Sequence, residues 1–399
     1  MKVLAVTYGL PFPLSEGCKI RDHNLLRALA AEAEVHLLCF CKDDRFPDDV
    51  GPLPGFCSSI ETYPVPDRQP PLAVFQHLIA GRPLATFPFY FPEFARRIAE
   101  LARKHKVDVV QLEHSFLAPY VAAIPPGCLR IQSLHNIGEQ QYASMARMKR
   151  TSPAAWLKAI AMRGWEAEWT RRFDGVVSVS QPEAEWVRRR APQPPVCVIP
   201  NGVDCASLRP LPEPEAGNDL LFIGTLGYPP NTDAVRWMVE AILPKVRAQV
   251  PDIRFVVVGR NPGAGIRALA ATGAFELHAD VPDILPYYRR CRLSVVPLRA
   301  GGGTRLKILE SMALERPVVS TAIGCEGLEV VHGEHLLIGD TPEALSGQIV
   351  SVLTGEVLRQ DLVRNARRFV ELNHDWPALG SRLCSFYNQL MTARRQATS

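Results

Sequence analysis

The stretch Leu298-Arg299-Ala300-Gly301-Gly302-Gly303-Thr304-Arg305-Leu306-Lys307-Ile308-Leu309-Glu310-Ser311-Met312-Ala313 is the most chemically informative part of the chain. Its order reads strand, glycine loop, helix. Gly301, Gly302 and Gly303 let a ligand approach the backbone closely, Thr304 suits a helix N-cap, and the open N–H groups of a first helical turn favour negative charge. Arg305 and Lys307 add two cations at the same place. On a helix, Thr304, Lys307 and Glu310 follow one another at i, i+3 as a polar strip facing out from the sheet, while Leu306, Leu309 and Ala313 line another face. The run lacks the G-x-x-x-x-G-K-[ST] spacing of a nucleoside-triphosphate loop. It therefore points to a phosphorylated ligand rather than to triphosphate hydrolysis, the alternative being a glycine turn beside a surface Lys–Glu pair.

Two histidines close apolar runs: His135 follows Leu129–Leu134, and His114 stands in Leu112-Glu113-His114-Ser115. At a strand end a histidine either contacts a ligand or makes a structural hydrogen bond. Gly263-x-Gly265-x-x-Ala268 is a fragment of a dinucleotide fingerprint, but Arg260, Asn261 and Pro262 separate it from the preceding strand, so the tight turn is missing. The acidic cluster Asp43-Asp44-Arg45-Phe46-Pro47-Asp48-Asp49 follows a strand and reads as a solvated loop rather than a magnesium site. The chain has no Asp-x-Asp, and its ten cysteines include no C-x-x-C pair. The expectation is free thiols, no metal and no nicotinamide cofactor.

These residues must be positioned by a scaffold, and 399 residues are enough for two or three domains. A composition 47% apolar and 22% charged excludes a disordered or fibrous chain, and a net charge of +4 gives no electrostatic case for nucleic acid. Val3–Val6 is too short for a signal-peptide core, and no apolar run approaches the roughly 18 residues of a membrane span. The expected location is the cytoplasm. Thirty-five prolines, among them Pro11, Pro13, Pro64, Pro66, Pro70 and Pro71, predict long, shaped loops.

Apolar runs at Val3–Thr7, Val35–Phe40, Val107–Leu112, Leu129–Leu134, Val176–Val179 and Val196–Ile199 alternate with helical patterns, as a buried parallel sheet requires. A second series starts afresh at Leu220–Ile223 and continues through Ile253–Val258, Phe275–Leu277, Leu293–Val296 and Val318–Ser320. Between them lie Pro200-Asn201-Gly202 and the Pro/Glu-rich Pro210–Pro214, suited to an exposed connection. The predicted domains are 1–199 and 200–375, followed by a helix over 376–399 with the apolar stripe Trp376, Leu379, Leu383, Phe386 and Leu390. The predicted fold class is α/β: two Rossmann-like, doubly wound parallel-sheet domains whose strand ends and loops face a ligand across a cleft.

In this order the chain resembles the GT-B glycosyltransferases of the large retaining family four. The matching residues are the loop Pro11–Gly17 with Arg21 on the helix after it, Ser133-Leu134-His135-Asn136, Phe173–Ser180, Val198–Asp204, Phe222-Ile223-Gly224, Val256–Gly259, the glycine loop, Glu310 and Arg316–Thr321. The resemblance covers nearly the whole chain. It implies transfer of a sugar from a nucleotide-sugar donor to a hydroxyl of a glycan or lipid-linked acceptor, with retention, without a metal, and with the last helix returning to the N-terminal domain. The donor would lie in the C-terminal domain against Gly224, Gly301, Gly302, Gly303, Thr304 and Glu310, with Glu310 on the nucleotide ribose. His135 matches a histidine beside the donor sugar, and Gly17 and Arg21 match the acceptor side. His114 fits an acceptor-side and a structural role equally.

The sequence departs from the family at two points. The first glutamate of the family's pair, the one that contacts the donor sugar, belongs eight positions before Glu310, where Gly302 stands, and the cations expected after the Phe222-Ile223-Gly224 strand are replaced by Thr225 and Asn231. The expectation is that Arg305 and Lys307 supply the missing charge to the donor diphosphate as it leaves. Two rival functions share these motifs: a nucleotide-sugar epimerase, which needs no acceptor, and a binding module that has lost catalysis. Met145–Arg172 interleaves Arg147, Lys149, Arg150, Lys158, Arg163, Arg171 and Arg172 with Trp156, Trp165 and Trp169. It suits either helices packed on the N-terminal domain or a peripheral contact with an anionic membrane. No motif specifies an oligomeric state.

Overall fold

The computed structural model describes residues 1–14, 17–41, 49–65, 79, 90–139, 153–214, 217–301 and 305–398, the side chains of 153–159 and 397–398 aside. The acidic cluster from Asp43 to Asp48, Pro66, Pro70, Pro71 and the first part of Met145–Arg172 lie outside the described residues. The chain forms two compact units, Met1–Pro200 with Trp376–Ser399, and Asn201–Asp375.

Unit 1 is built on strands β1 (Lys2–Thr7), β2 (Glu34–Cys41), β3 (Cys57–Pro64), β4 (Val109–Glu113), β5 (Leu129–Ser133), β6 (Gly175–Ser178) and β7 (Val196–Val198). They form one sheet in the order β3-β2-β1-β4-β5-β6-β7, every neighbouring pair parallel. Helices α1 (Gly17–Leu29), α2 (Pro92–His105), α3 (Pro153–Thr170) and α4 (Gln181–Arg190) make the crossovers. Central strands such as Val3-Leu4-Ala5-Val6 are buried on both faces, so their sequence is continuously apolar. β3 is an edge strand with a mostly half-exposed pattern, which is why no apolar run announced it; Pro64 closes it rather than lying in a loop.

The C-terminal helix Trp376–Thr398 packs on this unit. Trp376, Leu379, Leu383 and Tyr387 join the core of Leu25, Leu26 and Leu29, and a Cβ at Gly380 would fall 2.6 Å from that of Ala28. The helices therefore meet at near-backbone distance, where only glycine fits.

Unit 2 carries β8 (Asp219–Ile223), β9 (Arg254–Gly259), β10 (Glu276–Ala279), β11 (Cys291–Val296), β12 (Val318–Ser320) and the two-residue β13 (Leu337–Ile338) in the order β10-β9-β8-β11-β12-β13, again all parallel. Helix α5 (Pro229–Trp237) follows β8, and α6 (Leu306–Ala313) follows β11. Ile308, Leu309, Met312 and Ala313 turn α6 onto the sheet. Strand order reverses between β1 and β4 in unit 1 and between β8 and β11 in unit 2. In open parallel sheets the crevice for a ligand lies outside the carboxyl ends at such a reversal.

Candidate functional site

In unit 2 the carboxyl end of β8 is Ile223, followed by Gly224. A Cβ at Gly224 would lie 2.8 Å from Lys307 Nζ and 2.9 Å from Asn231 Nδ2, so the bare backbone makes room for both side chains. Lys307 Nζ donates to Asn231 Oδ1 at 3.1 Å and lies 4.2 Å from the centre of the Phe222 ring. Asn231 is fixed in turn, its amide donating to the Thr225 carbonyl at 2.9 Å. Lys307 thus faces the end of β8 and not solvent, a correction to the outward-facing strip: the helix packs on β11 and β12, and the long lysine side chain reaches across to Phe222 and Asn231. Burial first, then the charge of Arg305, pulls Lys307 down to about 7 against the opposing pull of Glu310.

Glu310 is raised by burial, with Lys307 and a hydrogen bond to Tyr288 pulling the other way. Arg305 stands in extended conformation just before α6, and its guanidinium would meet a Cβ on Gly301 at 2.9 Å. Gly301 has φ +125°, a conformation reserved for glycine. Arg305, rather than Thr304, occupies the cap position, because the helix begins only at Leu306; Thr304, Gly302 and Gly303 lie outside the described residues.

In unit 1 three separate segments converge on His135, which follows β5. Its Nε2 lies 3.0 Å from Asp22 Oδ1 of α1 and 2.9 Å from Glu113 Oε2 at the end of β4. Glu113 also accepts from Gln111, which accepts from Tyr387 of the C-terminal helix. Burial disfavours the imidazolium, but the two carboxylates outweigh it and raise His135 to about 9. His114 stacks on His135 with ring centres 3.9 Å apart, and on its own follows with Phe116 and Tyr8 as further rings. Its backbone has φ 71° and ψ 147°, a region that side-chain-bearing residues rarely adopt and that is held where a site over-determines it. Burial and the neighbouring His135 charge keep His114 neutral.

Gly17 opens α1, but Arg21 is buried and donates to the carbonyls of Ile199 at 2.8 Å and Pro200 at 3.0 Å. The guanidinium therefore braces the end of unit 1 from inside instead of presenting itself to an acceptor. Asp22, Glu113 and Tyr288 carry no signal of a role in the sequence, and Asn231 shows only as the residue standing where a cation was expected.

Asp22, His114 and His135 each bring a ligating atom within 4.8 Å of the others. Lone pairs of imidazole lie in the ring plane, and these planes are stacked only 30° apart, so an ion in the plane of one ring sits over the face of the other. The Nε2 of His135 also carries a proton between two carboxylates. This trio does not fit a metal.

Residues 23–207 match the sequence model of Glycosyltransferase Family 4, and residues 217–355 that of Glycosyl transferases group 1. Together the two matches span most of the chain, which resembles the family-four glycosyltransferases in both units. Among its relatives, the chain is 28% identical over 166 residues to an uncharacterized 44.6 kDa protein in the cps region of Klebsiella pneumoniae, covering 39% of this chain and 42% of that protein. It is 24% identical over 253 residues to a phosphatidyl-myo-inositol mannosyltransferase of Mycolicibacterium smegmatis, covering 61% and 64%. The chain thus spans less than two thirds of the length of either relative. Its fold matches sucrose-phosphate synthase from Thermosynechococcus elongatus with a TM-score of 0.73 at 19% identity, over 98% of this chain and 100% of that one. No described helix is long and apolar enough to cross a membrane.

Proposed function

We propose that the protein transfers a glycosyl group from a nucleotide sugar to an acceptor hydroxyl, with unit 2 holding the donor and unit 1 the acceptor. The observation that carries this reading is the Lys307 ammonium fixed by Asn231 at the carboxyl end of β8, beside the strand-order reversal. As the bond to the sugar breaks, negative charge grows on the departing diphosphate, and a fixed cation there stabilises the transition state more than the ground state. Lys307, with Arg305 from the same loop, is the proposed source of that charge, so no metal is needed. Glu310, anchored by Tyr288, is the proposed ribose contact, and Gly224 and the Gly301–Thr304 loop the donor's backbone contacts.

His135 is the proposed catalytic contact to the sugar in transfer, and Gly17 and His114 lie on the acceptor side. Retention of configuration is what the resemblance to family four implies for this transfer. The mannosyltransferase relative directs the first trials to mannosyl donors and inositol-phospholipid acceptors. A membrane-borne acceptor also fits the exposed Ile160 beside Arg163 on α3; Trp165 and Trp169 of that helix are packed inside unit 1 and do not serve it.

The test is a thermal-shift panel of uridine, guanosine and adenosine diphosphate sugars, followed by transfer assays with the stabilising donor in the presence of a chelator. A ligand that binds only the native state raises the unfolding temperature by mass action. Stabilisation without transfer to any acceptor would reduce the protein to a binding module, and no stabilisation by any donor would overturn the reading.

A further inference from the structure

Helix α3 turns Met162, Trp165 and Trp169 into the apolar core of unit 1, and on the same inward face it places a carboxylate, Glu166, only 2% exposed. An acid buried in such a place is costly unless it is hydrogen-bonded. The bonds it makes run to two connections. Its Oε1 accepts the backbone N–H of Gly138 at 2.9 Å and its Oε2 that of Glu139 at 3.1 Å, both in the helical turn that begins three residues after His135. It also accepts from Ser115, the residue after His114. The two histidines thus sit on loops tied to one carboxylate.

The neighbouring geometry makes the tie specific. A Cβ at Gly138 would fall 3.0 Å from Glu166 Oε1 and 3.0 Å from the Met162 methyl, so the loop approaches the carboxylate closely because residue 138 has no side chain. Glu139 is held from two helices, by Trp186 Nε1 at 2.7 Å and Arg163 at 3.6 Å. His114 is bounded on both sides: its N–H donates to the Ser133 carbonyl at 2.8 Å, and Ser115 after it reaches Glu166. Those two anchors fix the residue in its rare backbone conformation and hold its ring on His135.

We infer that Glu166 is a positioning residue for the transfer reaction, holding the His114–His135 stack in register by tying together the loops that follow β4 and β5. It touches no reactant in this scheme. The inference rests on the transferase reading above, and it adds α3 to the parts on which acceptor-side chemistry depends. Misplacement of a reacting contact by about 1 Å is enough to cost roughly 100-fold in rate. The expected loss on cutting the tie is therefore about 10–100-fold in kcat, with binding of a nucleoside diphosphate to unit 2 unchanged.

The experiment compares the full-length wild type with Glu166→Gln, Glu166→Asp and Gly138→Ala. Glu166→Gln replaces one acceptor oxygen by a donor facing a backbone N–H, Glu166→Asp keeps a carboxylate, and Gly138→Ala pushes on the same carboxylate from the loop side. The first readout is the pair of imidazole signals of His114 and His135 by nuclear magnetic resonance, assigned with single His→Gln variants. The second is kcat and acceptor KM for transfer, each corrected for folded fraction.

The expected result is displaced imidazole signals and a lowered kcat in Glu166→Gln and Gly138→Ala, with partial recovery in Glu166→Asp. Unchanged histidine signals and kcat in folded Gly138→Ala or Glu166→Gln overturn the inference, as does a kcat loss no larger than the loss of folded protein. If Glu166→Gln does not fold, Gly138→Ala decides. A wild type that binds no nucleotide sugar refutes the transferase reading instead, while the imidazole signals still report whether Glu166 sets the stack.

Discussion

The ammonium of Lys307 stands 3.1 Å from the side-chain oxygen of Asn231, and so a helix from one crossover delivers its charge to the first turn of the helix of another. A charge-assisted hydrogen bond to a phosphate oxygen is worth about 1.5–3 kcal/mol. Lys307→Met is expected to weaken binding of the cognate nucleoside diphosphate by roughly 10–100-fold. Adding Asn231→Lys to that variant returns a cation to the same place from α5 and is expected to recover part of the loss. Isothermal calorimetry decides it; a Lys307→Met protein that binds as tightly as wild type removes Lys307 from the diphosphate.

The same lysine predicts how donor binding varies with pH. Burial and Arg305 lower it to about 7, so above that pH the free protein carries it neutral. A bound diphosphate favours the ammonium and raises it again. Binding then takes up a proton, and affinity falls as pH rises above about 7, by up to tenfold per pH unit. Calorimetry at about pH 8 in buffers of different ionisation enthalpy is expected to show uptake of close to one proton, absent in Lys307→Met. No proton uptake in the wild type contradicts the assignment.

Two glycines separate function from folding. At Gly224 a Cβ would meet only side-chain ends, Lys307 Nζ at 2.8 Å and the Asn231 amide at 2.9 Å, which can shift, whereas at Gly259 it would meet the backbone oxygen of Gly224 at 2.0 Å, which cannot. Gly224→Ala is expected to fold with little change in melting temperature and to bind donor at least tenfold more weakly. Gly259→Ala is expected to lose several kcal/mol of stability by forcing two strand ends apart. Thermal melts beside diphosphate titrations check both. Equal destabilisation by the two substitutions would mean that Gly224 serves only packing.

The paired sheets were legible because buried parallel strands are continuously apolar, and the strand, loop and helix around Lys307 because glycines and cations sit at short range. What could not be read is what sheet order creates. Asp22, Glu113 and His135 are far apart in the chain, and they meet because β1, β4 and β5 are neighbours with α1 packed beside them. The same holds for Glu166, an acidic residue among tryptophans and arginines whose inward direction the sequence does not show. Edge strand β3 was missed for the opposite reason, since a half-exposed edge has no apolar run to see. Arg21 was legible as a position but not as a brace, because its partners are backbone carbonyls some 180 residues later.

His135 supplies the last prediction. Burial alone would lower it, but Asp22 and Glu113 carry it from 6.5 to about 9. A group raised in the native state binds its proton more tightly there than in the unfolded chain. The stabilisation is therefore complete below about pH 6.5 and is lost as pH rises through about 9. At 1.36 kcal/mol per unit, the contribution is on the order of 3 kcal/mol. His135→Gln leaves Asp22 and Glu113 buried without the imidazolium between them. It is expected to lower the melting temperature most near pH 6, and the difference from wild type is expected to shrink toward pH 9. Melting curves of both proteins across that range report the triad of His135, Asp22 and Glu113 as a unit, because titrating groups away from it are common to the two. A difference that stays constant or widens with pH would show that His135 is not held as an imidazolium between Asp22 and Glu113.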